Sequence, residues 1–310
     1  MAYRYLFGPV NSRRLGRSLG VDLVPAKVCS LDCVYCESGR TTRLTTVRGE
    51  YVPTAAVMAE LDDCLAAAPV LDYITFSGAG EPTLHSGLGT IIGHLKKNYP
   101  QYEIALITNG TLLGEPALRR EVSACDLIVP SLDAASDAVM AMVNRPCRGL
   151  TAGSLITALA ALRAEYRGRL WLEIFIVPGV NDSAAELAAL AAAARRIGPD
   201  RVQLNTLDRP APGPGVRAAT AAGLATIAGQ FPPPVDIVAR VRAAAPADNM
   251  TEDLAAALIA LVRRRPATAE DIAAGLGADR GQVDRLLVRL TSERRLNAER
   301  QSGLTFYRPT

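Results

Sequence analysis

Cys29-Ser-Leu-Asp-Cys33-Val-Tyr-Cys36 follows closely on the apolar, β-branched segment Gly20-Val-Asp-Leu-Val24. Three thiolates at this spacing suit three irons of a cubane [4Fe–4S] cluster. Most such clusters use four Cys, so the fourth iron is left open, like the vacant position of a catalytic metal site. A zinc site would want a fourth ligand at short spacing, and the two His, His85 and His94, lie far along the chain. A disulfide framework fits poorly, because six Cys are sparse over 310 residues and no signal peptide precedes residue 29.

The chain length allows one large domain and a small one. Apolar residues make up 49% of the sequence, ample for a core, without a continuous apolar run of membrane-spanning length. The beginning, Met-Ala-Tyr-Arg-Tyr-Leu-Phe-Gly-Pro9, has no long apolar h-region, so the protein reads as cytoplasmic, which also suits an oxygen-sensitive cluster. Net charge is +3, too small to argue for nucleic acid by electrostatics. Lys27, Lys96 and Lys97 are the 3 lysines beside 31 arginines, so scattered Arg reflects composition rather than RNA contacts.

Short apolar runs alternate with Ala/Leu-rich helical patterns, as in βα units around a parallel sheet. Strands are expected at Gly20–Val24, Tyr73–Ser77, Ile104–Thr108, Leu127–Ser131, Leu170–Val177 and Val202–Leu207. Helices are expected at Thr54–Ala67 (Thr54 as cap), Leu88–Asn98, Glu115–Val122, Ser136–Val143, Thr151–Tyr166, Ser183–Ile197 and Val216–Gln230. Six units are too few for a closed eight-stranded barrel and suit a partial (β/α)6 barrel of the TIM type. In such folds chemistry sits at the C-terminal strand ends, and the cysteine run follows the first of these strands.

Phe231-Pro-Pro-Pro234 stops any helix, and residues 231–250, including a strand expected at Val235–Val241, read as a linker from the 1–230 domain. From 251 to 310 the pattern becomes helix (Thr251–Arg264), helix (Thr268–Leu276), helix (Arg280–Arg294), then a hairpin around Gln301-Ser302-Gly303. That order resembles a winged helix, an α+β unit that often reads DNA. Ten Arg stand against eight acids there, and the middle of the unit mixes both signs. A DNA reader wants a strongly basic face, so a docking module for a substrate or partner protein fits better.

The other expected strand ends carry small polar groups. The second runs into Ser77-Gly78-Ala79-Gly80-Glu81-Pro82, the third ends in Thr108-Asn109-Gly110, the fourth in Ser131-Leu132-Asp133, and Val177-Pro-Gly-Val-Asn-Asp182 follows the fifth. Gly78 and Gly80 permit close backbone approach, and Glu81 supplies an acceptor beside a Pro-fixed turn. Together with the cysteine run, these motifs resemble the radical S-adenosylmethionine (SAM) superfamily, with Ala79 where its GGEP motif commonly has Gly. The resemblance covers roughly residues 8–230. Gly8–Gly16, Ser18–Cys36, Thr75–His85 and Gln203–Pro210 look most like its wyosine-synthase-like branch, whose members modify tRNA. Those relatives are implied to use further N-terminal Cys and a pyruvate-capturing Lys. This chain has no Cys before Cys29, and only Lys27 near the site.

The resemblance implies that Cys29, Cys33 and Cys36 hold the cluster. It implies that Tyr35, Gly78, Ala79, Gly80, Glu81, Thr108, Asn109, Ser131, Asp133 and Val177 line the SAM site. The implied reaction is one-electron reduction of SAM to methionine and a 5′-deoxyadenosyl radical, which takes hydrogen from a substrate C–H. A flavodoxin or ferredoxin is the kind of electron donor implied, and the substrate is a small molecule, peptide or RNA. Candidates for substrate contact are Arg13, Arg14, Asn144, Arg145, Arg209 and Cys147. Two rivals share the cluster: an activase that installs a glycyl radical on a partner protein, and an Fe–S redox sensor regulating transcription.

Overall fold

The inner strands of the large sheet are buried almost continuously, with helices against one face and the inside of the curve against the other. The computed structural model describes residues 3–12, 14–208, 215–238, 253–301 and 303–310. Its strands are Leu6–Ser12 (β1), Gly16–Val21 (β2), Tyr73–Phe76 (β3), Glu103–Thr108 (β4), Leu127–Pro130 (β5), Arg169–Phe175 (β6), Arg201–Asn205 (β7) and Val235–Ile237 (β8). They lie side by side in sequence order, β1 antiparallel to β2 and β2 to β8 mutually parallel. Among the described residues β1 and β8 are edges. The barrel is therefore partial, as the six expected strands implied, with two further strands at its margins.

Helices α1 (Thr54–Ala66), α2 (Leu88–Asn98), α3 (Pro116–Val122), α4 (Asp137–Val143), α5 (Ala152–Glu165), α6 (Ala184–Ile197) and α7 (Ala221–Ala228) link the parallel strands. Their apolar stripes and the outer strand residues, such as Ile74, Leu106, Ile128 and Ile174, form the main core. Each fully buried Leu or Ile there contributes about 1.5–3 kcal/mol. Inside the curve a smaller cluster of Leu15, Tyr73, Ala105, Leu127 and Val129, with Ile107 and Trp171 against it, plugs the N-terminal end. Pro53, not Thr54, occupies the cap position of α1, and the Glu50 carboxylate takes the Thr54 amide at 2.8 Å. Helix α7 starts late because the Thr220 hydroxyl accepts the Gly223 amide at 3.0 Å and fixes the first turn there.

The C-terminal unit comprises α8 (Asp253–Arg264), β9 (Ala267–Thr268), α9 (Ala269–Leu276), α10 (Arg280–Ser292), β10 (Leu296–Gln301) and β11 (Leu304–Pro309). The three strands form a small antiparallel sheet in the order β9-β11-β10. Leu258, Val262, Ile272, Val283, Leu287 and Leu290 give it a core of its own. A capping box joins Thr268 and Asp271, and Gly277 closes α9 at φ 61°. The unit rests on β1, where the Asn11 amide donates to the Ala274 carbonyl at 2.6 Å. Of the expected linker, Val235–Ile237 belongs to the large sheet, and residues 239–252 lie outside the described residues. Among the described residues no helix is long and apolar enough to cross a membrane.

Candidate functional site

The cysteine loop leaves β2 at the C-terminal mouth and is held against the segment that follows α4. Asp32 and Val34 donate their amides to the carbonyls of Asn144 and Val143, both at 2.9 Å, and the Cys147 amide returns to the Ser30 carbonyl at 2.9 Å. The Asp32 carboxylate accepts the Thr41 amide at 2.7 Å and lies 3.3 Å from Arg40 and 3.7 Å from Arg145. Each sulfur has a nitrogen donor. Lys27 Nζ is 2.9 Å from Cys36, Asn144 Nδ2 is 3.3 Å from Cys33, and Asn109 Nδ2 is 3.5 Å from Cys29. Burial pushes the Cys29 thiol up to about 12, with Glu81 adding to the effect, and burial likewise raises Cys33. Cys29 and Cys33 are therefore thiols before metal binds, and loading metal releases those protons. A mononuclear zinc site gathers its ligands on one ion. A cubane instead takes one thiolate per iron, and three donor-backed sulfurs on one tethered loop fit it.

The Gly-rich loop after β3 is tied directly to this one. The Lys27 amide donates to the Ala79 carbonyl at 2.9 Å, and the Glu81 amide to the Val28 carbonyl at 3.0 Å. A Cβ on Gly80 would lie 2.3 Å from the Val28 carbonyl oxygen, and one on Gly78 (φ 136°) 2.2 Å from Asp22 Oδ1. Both positions need Gly, whereas the methyl of Ala79 is buried without such a clash. Glu81 is buried, and its Oε1 accepts from the Thr83 amide and hydroxyl and the Thr108 hydroxyl at 3.0, 2.6 and 2.6 Å. Its Oε2 accepts the Asn109 amide at 2.7 Å. The carboxylate thus pins β3 to β4. The Asn109 side chain reaches the Ser30 hydroxyl at 2.9 Å, which draws the β4 end to the cysteine loop.

Asp133 does for β5 and β6 what Glu81 does for β3 and β4. Its Oδ1 accepts the Phe175 amide at 2.8 Å, and its Oδ2 accepts from Asn144 Nδ2 at 2.7 Å and from the Tyr35 hydroxyl. Tyr35 stacks on Phe175 with centroids 3.8 Å apart. Val177 is buried and donates its amide to Asn181 Oδ1 at 2.8 Å, while Asn181 Nδ2 spans the carbonyls of Asp133 and Phe175. Ser131, half-buried, donates its amide to the Thr108 carbonyl at 3.0 Å. All the strand-end residues read from the sequence meet at one mouth.

The family model of the radical SAM superfamily matches residues 23–191, more than half of the chain. The chain belongs to the radical SAM superfamily. Members of that superfamily are enzymes that use a [4Fe–4S] cluster and SAM. A UPF0026 protein of Synechocystis is 36% identical over 212 residues, which are 67% of this chain and 77% of that protein. A UPF0026 protein of Methanocaldococcus jannaschii is 32% identical over 66% of this chain and 64% of its own length. A protein of Brachyspira hyodysenteriae named GTPase Obg is 31% identical over 97% of this chain, which spans 45% of that protein. Among solved structures, a radical SAM methyltransferase from Sphaerobacter thermophilus superposes with a TM-score of 0.53 at 23% identity, covering 71% of this chain and 66% of that one. Streptococcus suis SuiB bound to S-adenosylmethionine gives 0.51 at 13% identity, over 69% of this chain and 48% of that one. At these identities the likeness is one of fold.

The candidates for substrate contact separate in this radical SAM protein. Arg14 enters the barrel and pairs with Glu173 on β6, whose Oε1 accepts from Asn205 Nδ2 on β7 at 3.0 Å. Arg14 also lines a cavity of about 260 Å³ that runs past Ser18, Thr75 and Ser77 to Gly78. Asn144 and Arg145 do not line it; they hold the cysteine loop, as does the backbone of Cys147. Arg13 and Arg209 lie outside the described residues. The sequence alone places Lys27 near the site without giving it a role, and does not mark Glu173 and Asn205 as site residues. Glu173 carries a usable signal, a single acid within the apolar strand Leu170-Trp-Leu-Glu-Ile-Phe175. His85 is a satisfied core histidine, bonded to the Val52 carbonyl and the Gly87 amide.

Proposed function

We propose that Cys29, Cys33 and Cys36 hold three irons of the cluster and that SAM occupies the remaining one, against the Ser77–Glu81 loop. The reading rests chiefly on the two backbone hydrogen bonds, Lys27 to Ala79 and Glu81 to Val28, which lock the cysteine loop to the Gly-rich loop. When bound, the two cofactors supply reductive cleavage of SAM to methionine and a 5′-deoxyadenosyl radical that takes hydrogen from a substrate C–H. The chain's own task is placement. Glu81 and Asp133 act as positioning residues, since their carboxylates are taken up by protein donors, and the exposed edges of Ser77, Asn109 and Ser131 are left for the cofactor. Lys27, Asn109 and Asn144 direct N–H groups at the sulfurs and stabilise negative charge there.

The substrate sits in the cavity beside Gly78, within reach of Arg14, and electrons come from a flavodoxin- or ferredoxin-like donor in the cytoplasm. A wyosine-type condensation is not included in this reading, because Lys27 is engaged at Cys36. The C-terminal unit, with its winged-helix-like order of helices and hairpin, serves the enzyme rather than DNA. The test is single replacement of Cys29, Cys33 or Cys36 by Ala after anaerobic reconstitution. Each variant should lose bound iron, while Cys64→Ala should keep it. A Cys33→Ala protein with full iron content would overturn the assignment.

A further inference from the structure

Helix α8 belongs to the C-terminal unit, yet its last residue ends at the Gly-rich loop. The Arg264 guanidinium lies over the Phe7 ring, 4.0 Å from the centroid, and its Nη1 donates to the Ala260 carbonyl at 2.9 Å. Its Nε stands 3.5 Å from Asp22 Oδ2 with both side chains largely buried. Phe7 takes this place because Gly20 beneath it has no side chain: a Cβ there would lie 2.1 Å from the ring. Asp22 is the first residue after β2. Its Oδ1 is buried with no hydrogen-bond partner among the described residues, and neither does Arg264 Nε make an aligned hydrogen bond. The two groups therefore attract as charges in a poorly solvated place, where such attraction is strong and an uncompensated charge is costly.

That unpartnered Oδ1 occupies the space a side chain on Gly78 would fill. The carboxylate is thus packed against the residue that opens the Ser77–Glu81 loop, and Arg264 is the cation beside it. Leu261 and Arg264 also line the cavity, together with Ser77 and Gly78.

We propose that Arg264 is a positioning residue for SAM: from the C-terminal unit it holds the Asp22 carboxylate against Gly78 and so fixes the Ser77–Glu81 loop. The proposal rests on the reading of that loop as the SAM site. It makes the C-terminal unit a support of the SAM-binding loop as well as a wall of the adjoining substrate cavity, so SAM binding and docking of α8 reinforce each other, as linkage requires.

The experiment uses the full chain with its cluster reconstituted, and compares Arg264→Met, Arg264→Lys and Asp22→Asn. Arg264→Met keeps the aliphatic contact with Phe7 and removes the charge. Hydrogen–deuterium exchange of the amides at 78–81 should quicken several-fold in it, while β6 exchanges as before and iron content is unchanged. SAM affinity by equilibrium dialysis should fall about tenfold. Arg264→Lys should recover most of both effects, and Asp22→Asn should reproduce the loss. Unchanged exchange at 78–81, unchanged SAM affinity, or an equal rise in exchange across the whole barrel would each overturn the proposal. Failure of the underlying site reading shows separately, as wild-type protein that binds no SAM.

Discussion

Lys27 donates through Nζ to the Cys36 sulfur at 2.9 Å. The residue is buried and sits at φ 64°, so the backbone adopts a conformation disfavoured for Lys to bring the ammonium there. Hydrogen bonds and net charge around the sulfurs set the potential of such a cluster. Lys27→Met should retain iron, because the three thiols remain, and should shift the reduction midpoint to more negative values. An EPR-monitored redox titration reads this directly, and an unchanged midpoint would remove Lys27 from the account.

Asn144 shares one amide between the Cys33 sulfur and the Asp133 carboxylate. Replacing it by Ala leaves a buried carboxylate short of a donor, which costs about 1–3 kcal/mol. Urea unfolding of the cluster-free protein should show that loss, and cluster loading should fall with it. Stability within error of wild type would mean that the loop is held by its backbone bonds alone.

Glu81→Ala removes the acceptor that joins Thr83, Thr108 and Asn109. The cluster should load normally, since none of these bonds involves a cysteine, but SAM affinity should weaken by about 1–3 kcal/mol as the strand ends separate. Calorimetric titration with SAM decides it. An affinity equal to wild type would show that the β3 and β4 ends need no such pin.

Burial pushes the Asp133 carboxyl from 3.8 up to about 6, against the pull of Tyr35, the Phe175 amide and Asn144. Between about pH 4 and 6 the folded chain keeps a proton that the unfolded chain has released. This contribution to stability is fully present below about pH 4 and is lost as pH rises through about 6, at about 1.4 kcal/mol per unit. Asp22, raised to about 6 by burial, adds a second share of the same sign. The unfolding free energy of cluster-free Asp133→Asn should therefore decline less steeply across that window than wild type. Equal slopes in urea titrations at pH 4, 5 and 6 would contradict the assignment.

Five inner strands were legible because each is a short, largely buried apolar run that ends in small polar residues. Strand β2, expected at Gly20–Val24, runs from Gly16 to Val21, because its polar start Gly16-Arg-Ser18 shows no apolar run. Strand β1 was not legible, since Phe7-Gly-Pro-Val reads as a turn, and its pairing with β2 is irregular between Phe7 and Val10. Strand β8, expected at Val235–Val241, forms over Val235–Ile237, behind three prolines. The cysteines could be read from spacing alone. Spacing could place Glu81 and Asp133 at strand ends but not count the donors that converge on them. Arg14 is one of four arginines named for substrate contact, and only its pairing with Glu173 across the barrel sets it apart. The Asp22–Arg264 contact joins residues 242 positions apart, beyond any local pattern.

In the proposed function the three cysteines build a site that cleaves SAM. The most direct measurement is chromatography of the reaction after anaerobic reconstitution, chemical reduction and addition of SAM. The account predicts 5′-deoxyadenosine and methionine in equal amounts from wild type and neither from Cys36→Ala. Fully iron-loaded, reduced wild-type protein that leaves SAM intact, with or without candidate substrates, would contradict it.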